Sequence, residues 1–251
     1  MQDNLSKIYD INTSQTQIHK SLEKTISSHL KNKYQRPIPE LQKNIFNKIN
    51  SILSNNIKPI ILDSGCGTAM STQVLAKKFP DHWIIGIDRS ITRLKKSEIY
   101  KDKNTEVINQ YIFINNNQIL VQADLFDFWE LIYNKINNKI NNNWQIQKHY
   151  LLYPNPYPKA KHFKKRFHGH PVFPILLKLS EQIILRTNWD IYIQEFELAA
   201  KICSRDITKI NIIKNNIIKN NNYFSLFEKK YVENNIKITE LIIKTPQSHL
   251  K

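Results

Sequence analysis

The residues best placed to do chemistry form one run, Tyr153-Pro-Asn-Pro-Tyr-Pro-Lys-Ala-Lys-His-Phe-Lys-Lys-Arg166, which passes from an apolar segment through a proline-stiffened turn into a block of cations. The Asn155-Pro-Tyr157 turn sets a polar acceptor beside a flat ring, and Lys159, Lys161, Lys164, Lys165 and Arg166 follow with no acid among them. Neutralising phosphates and stacking on bases are the two elementary tasks of a protein that handles RNA, so this run reads as a nucleic-acid active site. Lys164, Lys165 and Arg166 are expected on phosphates.

A second group surrounds Asp63-Ser-Gly-Cys-Gly-Thr68. The chain has only 4 glycines, and Gly65 and Gly67 fall between an apolar run and the periodic segment Met70–Phe79. That pattern predicts a tight strand-to-helix turn where backbone and ligand come close. Ala69 stands where a dinucleotide fingerprint would have its third glycine. Asp88 follows Gly67 by about twenty residues, the spacing of a carboxylate that accepts from ribose hydroxyls. Asp63 would repel a pyrophosphate but could receive a methionine ammonium, directly or through water, which favours S-adenosylmethionine over a nicotinamide dinucleotide. Asp124 is then expected to reach the adenine amine.

These residues need a sheet to bring them together. From Pro59 on, short apolar runs alternate with helix-length segments, the pattern of βαβ units. Strands are predicted at Ile60–Asp63, Trp83–Asp88, Ile119–Asp124, His149–Tyr153, Ile183–Thr187 and, after a helix-rich interval, Lys237–Lys244. The first three end in aspartate, and ligands of open α/β sheets sit outside the carboxyl ends of strands. Residues 1–57, with Leu41, Ile45, Ile49 and Ile52 at helical spacing, predict an N-terminal helical arm, and residues 58–251 one α/β domain. The Asn-rich stretch 134–143 reads as a surface insertion.

Composition narrows the class. A net charge of +16 favours a polyanionic partner, although heavy use of Asn, Ile and Lys spreads cations over solvated faces and makes the clustered run the better signal. Lys31, Lys33 and Arg36 would extend the RNA footprint. Cys66 and Cys203 are the only cysteines, and Cys66 reads as a small buried filler. No metal is expected, because no Cys/His spacing suggests zinc and His162, His168 and His170 lack a fourth ligand. No apolar run approaches the roughly 18 residues of a membrane span, and the first thirty residues or so lack a signal-peptide core. A cytoplasmic monomer is expected.

The chain resembles the bacterial S-adenosylmethionine-dependent tRNA (guanine-N7)-methyltransferases over about residues 58–246. The resemblance rests on Asp63-Ser-Gly-Cys-Gly67, on Asn155-Pro-Tyr-Pro-Lys-Ala-Lys-His-Phe-Lys-Lys-Arg166 against the family's Asp-Pro-Trp-x-Lys-x-Arg/Lys-His-x-Lys-Arg-Arg, and on Thr187-Asn-Trp-Asp-x-Tyr192 against Thr-Asp-Trp-x-x-Tyr. A weaker match is Ser225-Leu-Phe-Glu228 against Thr-x-Phe/Tyr-Glu. It implies a Rossmann-like class I methyltransferase fold, mostly parallel with an antiparallel C-terminal strand. It further implies that Asp63, Asp88, Asp124 and Asn155 surround the cofactor, while Lys159, Asn188 and Ser225–Glu228 contact the substrate nucleotide. Asn155 and Asn188 each stand where the family has aspartate, Tyr157 replaces tryptophan and Ser225 replaces threonine.

Guanine N7 carries an exposed lone pair, so methyl transfer to it needs positioning more than proton removal. An aspartate near the ring would stabilise the cation that develops there. Asparagine keeps a carbonyl acceptor without the charge, which predicts slow turnover on guanine, with Glu228 the candidate acid to compensate. Two other readings stay open. Asn155-Pro-Tyr157 also looks like a shortened Asn-Pro-Pro-Tyr/Phe turn of enzymes that methylate exocyclic amines, and the chain could be an RNA-binding relative without catalysis.

Overall fold

The computed structural model describes residues 11, 13–32, 34–138, 143–213 and 223–244. Lys33 and residues 139–142 of the Asn-rich stretch lie outside the described residues. In chain order the helices are α1 (Leu22–Lys31), α2 (Glu40–Asn55), α3 (Met70–Lys78), α4 (Ile91–Leu94), α5 (Glu98–Lys101), α6 (Leu125–Asn137), α7 (Phe173–Leu176), α8 (Asp190–Ile202) and α9 (Leu226–Glu233). The strands are β1 (Ile60–Ser64), β2 (Trp83–Asp88), β3 (Glu106–Ile108), β4 (Ile112–Asn115), β5 (Gln118–Gln122), β6 (Ile146–Leu152), β7 (Gln182–Thr187), β8 (Asp206–Ile213) and β9 (Ile238–Lys244). Two short 3-10 turns, Ala160–Lys165 and Phe167–Gly169, follow β6.

The chain divides into two compact units. The first comprises the described residues of Gln35–Tyr150 and Lys178–Glu181, the second those of Met1–Tyr34, Leu151–Leu177 and Gln182–Lys251.

In the first unit the strand order is β3-β4-β5-β2-β1-β6, with β5, β2, β1 and β6 parallel and β3, β4 and β5 joined antiparallel. Every residue of β1 and β2 is buried, which is why both read as unbroken apolar runs: a parallel strand covered on both faces has no solvent side to alternate toward. Phe128, Trp129 and Ile132 bury one face of α6, and Phe46 of α2 meets Phe128 at 5.5 Å and Trp144 at 5.1 Å between ring centroids. Each such fully buried side chain contributes about 1.5–3 kcal/mol. The buried stripe of α2 is Ile45, Phe46, Ile49 and Leu53, whereas the expected Leu41 is exposed.

The sequence reading omitted the β3–β4 hairpin. Its turn uses Asn109 and Gln110 at positive φ, and the next turn, from β4 to β5, uses Asn116, so glycine punctuation was absent. Strand β5 also ends at Gln122, leaving Asp124 beyond the strand as the residue that caps α6.

In the second unit β7, β9 and β8 form an antiparallel order with β9 in the middle. Strand β8 lies inside the interval predicted to be helix-rich. Helix α8 buries Tyr192, Phe196, Ala199 and Ala200, and α1 buries Leu22 and Ile26. Phe173 of α7 meets Phe196 edge-on at 5.0 Å. Among the described residues no helix is long and apolar enough to cross a membrane.

Gly86 of β2 is a packing glycine. A Cβ there would stand 2.5 Å from Thr72 Oγ1, 2.9 Å from Leu120 Cδ2 and 3.2 Å from Cys66 Sγ, so the absence of a side chain lets α3 lie close on the strand. Gly86→Ala should therefore destabilise the protein by about 1–3 kcal/mol in urea unfolding. An unchanged midpoint would mean that α3 shifts aside without cost.

Candidate functional site

In the first unit β5, β2 and β1 are neighbours, and the turn after β1 lies against the end of β2. Gly65 N and Cys66 N both donate to Ile87 O, at 2.8 and 3.1 Å, and Gly67 N donates to Asp88 Oδ2 at 3.0 Å. Gly65 and Gly67 take φ of +77° and +61°. Apart from its own chain neighbours, no heavy atom lies within 4 Å of where a Gly67 Cβ would stand. Open space before a left-handed turn that leads into α3 suits a ligand approaching the backbone. Ala69 is also left-handed at φ +59°, and it is fully buried in one cluster with Cys66, Leu94, Ile99, Phe113 and Leu120. That cluster accounts for alanine where a third glycine was looked for.

Asp63 is buried, and its Oδ2 accepts from Ser71 Oγ at 2.6 Å and Thr72 Oγ1 at 2.7 Å. It fastens β1 to the first turn of α3, a role that the sequence reading did not give it. Burial pushes its carboxyl up to about 6, the hydroxyls oppose that rise and Asp88 adds to it. Asp88, also buried, accepts from Gly67 N, from Ser90 N at 2.8 Å and from Arg93 Nη2 at 2.9 Å. Asp124 Oδ1 accepts from Phe126 N at 3.0 Å and Asp127 N at 3.3 Å, and Arg36 Nη1 lies 3.7 Å away. Arg36, expected on RNA, faces the carboxylates of Asp124 and Asp127, its Nε 3.5 Å from Asp127 Oδ1. Burial also pushes the Cys66 thiol up, which agrees with its reading as a filler.

In the second unit, the end of β6 leads into the turn. Prolines at 154, 156 and 158 deny a helical conformation to Tyr153, Asn155 and Tyr157, the residues before them. Tyr153 and Tyr157 answer by turning left-handed, at φ +52° and +44°. Such conformations cost a bulky residue about 1–3 kcal/mol each and persist only where the surroundings over-determine them. Asn155 is exposed, and its Oδ1 accepts from Tyr157 N at 3.2 Å. Tyr153 N donates to Arg186 O at 2.8 Å, and its hydroxyl donates to Glu228 Oε1 at 3.0 Å.

Lys159, Lys161, Lys164 and Lys165 are exposed, as expected of phosphate contacts. Arg166 departs from that expectation. It is fully buried, with Nη1 on Glu195 Oε2 at 2.5 Å, Nη2 on Gln15 Oε1 at 2.8 Å and on Tyr157 O at 3.0 Å, and Nε on Tyr157 O at 3.3 Å. Arg166 stands in extended conformation between the two 3-10 turns, and Glu195, Gln15 and the Tyr157 carbonyl hold its guanidinium inward.

Glu228 also departs. Rather than facing a substrate, it is fully buried, with Oε1 accepting from Tyr153 and from Arg186 Nη1 at 2.7 Å and Oε2 accepting from Phe224 N. Ser225 caps α9 by accepting from Glu228 N at 3.1 Å. Asn188 is half-buried just before α8, and Trp189 and Tyr192 are buried.

His168 is buried with Nε2 on Glu195 Oε2 at 2.7 Å, and burial lowers its pKa although Glu195 opposes this. Partial desolvation and then Lys165, Lys161 and Lys159 keep His162 below its ordinary value. Among the described residues, no cluster of three or more His, Cys, Asp or Glu is placed to hold a metal.

Glu195 is the main omission of the sequence reading. Burial alone would raise its carboxyl, but His168 and Arg166 outweigh burial and hold it down to about 2. A carboxylate three residues after Tyr192 and four before Ala199, within the apolar stripe of a helix, is itself the sign that a buried cation must meet it.

The fold defined by these elements is the Rossmann-like class I methyltransferase fold. The structure is similar to the 16S rRNA methyltransferase KamB at a TM-score of 0.54 and 9% identity, covering 85% of this chain and 97% of that one. It is also similar to an antibiotic-related methyltransferase at 0.51 and 13%, covering 78% and 92%. A family model, Methyltransf_4, described as "Putative methyltransferase", matches residues 57–241, and the chain belongs to this family.

Among its relatives is a tRNA (guanine-N(7)-)-methyltransferase of Staphylococcus haemolyticus, 25% identical over 195 residues that span 76% of this chain and 82% of that one. A protein of the same description from Clostridium botulinum is 31% identical over 117 residues, covering 45% of this chain and 46% of its own length. The chain is a divergent member of the group that holds these relatives.

The buried Asp63 gives a pH signature. Its folded-state value lies above the unfolded 3.8, so the folded state binds more protons between about pH 4 and 6, and the stability this group contributes falls as pH rises through that window. Asp63→Asn should abolish the decline. Between pH 4 and 7 the wild type should lose about 2–3 kcal/mol relative to the variant in urea unfolding, and parallel curves would mean that Asp63 stays ionised throughout.

Proposed function

We propose that the protein is an S-adenosylmethionine-dependent methyltransferase that acts on tRNA and transfers a methyl group to guanine N7. Membership of a methyltransferase family supports the reaction class, and the names of the relatives support the substrate. The observation that carries the reading is the strained, outward-facing Asn155 turn followed immediately by exposed Lys159, Lys161, Lys164 and Lys165.

The first unit fits the cofactor. Gly65 and Gly67 let a ligand approach the turn, Asp63 would serve the ammonium directly or through water, Asp88 would accept from the ribose, and Asp124 would meet the adenine amine beside the α6 terminus that it caps. Bound there, the cofactor supplies an electrophilic methyl group on a sulfonium. The rest is binding and orientation by the chain. Asn155 and Tyr157 present a carboxamide and a ring to the base, Asn188 and Ser225 border the nucleotide, and the four lysines hold phosphates. No side chain needs to take a proton from N7, and no metal is required. Glu228 is engaged within the protein, so Asn155 acts without a neighbouring acid to offset its missing charge. The enzyme works as a monomer in the cytoplasm, where its substrate is.

The deciding experiment is transfer of labelled methyl groups to unmodified tRNA followed by nucleoside mass spectrometry, with Asn155→Asp alongside. The expected product is 7-methylguanosine, formed at least about tenfold faster by the variant because the carboxylate stabilises the ring cation. A product methylated on an exocyclic amine would replace this reading with that of an amino-methyltransferase. No product despite cofactor binding would make the protein an RNA-binding relative.

The lysines make a separate expectation. Replacing Lys159, Lys161, Lys164 and Lys165 with alanine should weaken tRNA binding and flatten the plot of log affinity against log salt by about 0.7–0.9 per engaged lysine. Cofactor affinity, read by calorimetry, should not change. An unaltered salt slope would remove these lysines from the RNA interface.

A further inference from the structure

The turn that displays Asn155 is unfavourable twice over, since Tyr157 is a left-handed aromatic residue and also precedes a proline. Two sets of hydrogen bonds hold it. On its amino side Tyr157 N donates to Asn155 Oδ1, so the carboxamide is tied to the conformation of this residue. On its carboxyl side Tyr157 O accepts from both Nε and Nη2 of Arg166. The guanidinium cannot drift, because it lies 4.7 Å over the Trp189 ring and is pinned by Glu195 and Gln15. Glu195 is held in turn by four donors: Gln15 Nε2 at 2.7 Å and His19 N at 2.8 Å on Oε1, Arg166 and His168 on Oε2.

We propose that Glu195, acting through Arg166, is a positioning residue that keeps Tyr157 left-handed and so sets the direction of the Asn155 carboxamide. Both residues are fully buried and engaged within the protein, so neither touches a substrate. Stability alone does not explain them, since a buried ion pair can often be exchanged for apolar side chains without loss. The feature an apolar pair could not reproduce is a planar fork aimed at one strained carbonyl. The inference rests on the functional reading above for its effect on rate, and on the structure alone for its effect on the turn.

The test uses Arg166→Lys, which keeps the charge and loses the fork, and Glu195→Gln, with melting temperatures confirming that each variant folds. Each should lower kcat for tRNA methylation about tenfold while the KM for cofactor and the Kd for tRNA stay within about twofold. In a Tyr157→Gly background the backbone takes positive φ without strain, so Arg166→Lys should cost less than about threefold there. An equal cost in both backgrounds, or no loss of kcat, would overturn the proposal.

A second readout does not need turnover. The ¹⁵N–¹H signals of the Asn155 carboxamide and the Tyr157 amide should shift, and the amide should exchange faster with solvent, in whichever of the two variants folds. Unchanged signals would overturn the proposal. A wild-type protein that methylates no tRNA would defeat the functional reading and leave these signals to decide the bracing.

Discussion

A single buried carboxylate organises the second unit. Glu195 gathers donors from the N-terminal segment, from the second 3-10 turn and from the residue between the two turns, all onto one side chain of α8. Its environment is costly to assemble, because a charge without partners in such a place would be penalised by several kcal/mol. Once assembled, it dictates where its partners go. Arg166 must lie inward, Phe163 must turn with it, and His19 stacks on Phe163 at 4.3 Å with the rings nearly parallel. Lys161, Lys164 and Lys165 of the first turn, and Lys159 just before it, are left exposed. The basic surface is thus the complement of a buried salt bridge: Glu195 draws one cation inward, and the four lysines around it stay exposed.

The first unit follows a different logic. Its acids at and just beyond the strand ends hold parts of the protein, whatever part they take in the proposed cofactor site. Asp63 secures two hydroxyls of α3, Asp88 secures the glycine turn and Arg93, and Asp124 caps α6. A carboxylate has several lone-pair directions, so structural and ligand contacts are compatible on one group. The arrangement means that the turn is shaped before anything binds, which lowers the ordering cost of binding.

The parallel strands and the glycine turn were legible because each rests on a local signal: apolar runs closed by aspartate, and glycines where few exist. The β3–β4 hairpin and β8 were not, the first because asparagine and glutamine carry its turn and the second because Ile210 and Ile212 lie on exposed positions of an outer strand rather than in a core pattern. At the site, the exposed lysines and Asn155 follow from the motif. Arg166 and Glu228 could not be placed that way, because a motif gives residue types and not the direction in which a side chain leaves the backbone. Their burial depends on Glu195 and Arg186, partners remote in sequence, and no local pattern carries that information.

The chain's thrift with glycine has a consequence of its own. Among the described residues, eight non-glycine residues take positive φ, Ala69, Asn109, Gln110, Asn116, Tyr153, Tyr157, Ser204 and Asn235, against Gly65 and Gly67. A left-handed residue with a Cβ stores conformational energy that a glycine would release, while glycine would bring back disorder in the unfolded chain. The balance tips toward glycine at bulky residues and toward the native residue at asparagine, which tolerates the region best. The protein therefore carries a reserve of latent stability at Gln110 and Ser204, positions outside the proposed machinery. At Tyr153 and Tyr157 the same stored energy is bound up with the geometry of the turn, so a thermostabilised descendant would do well to draw on the first pair and spare the second.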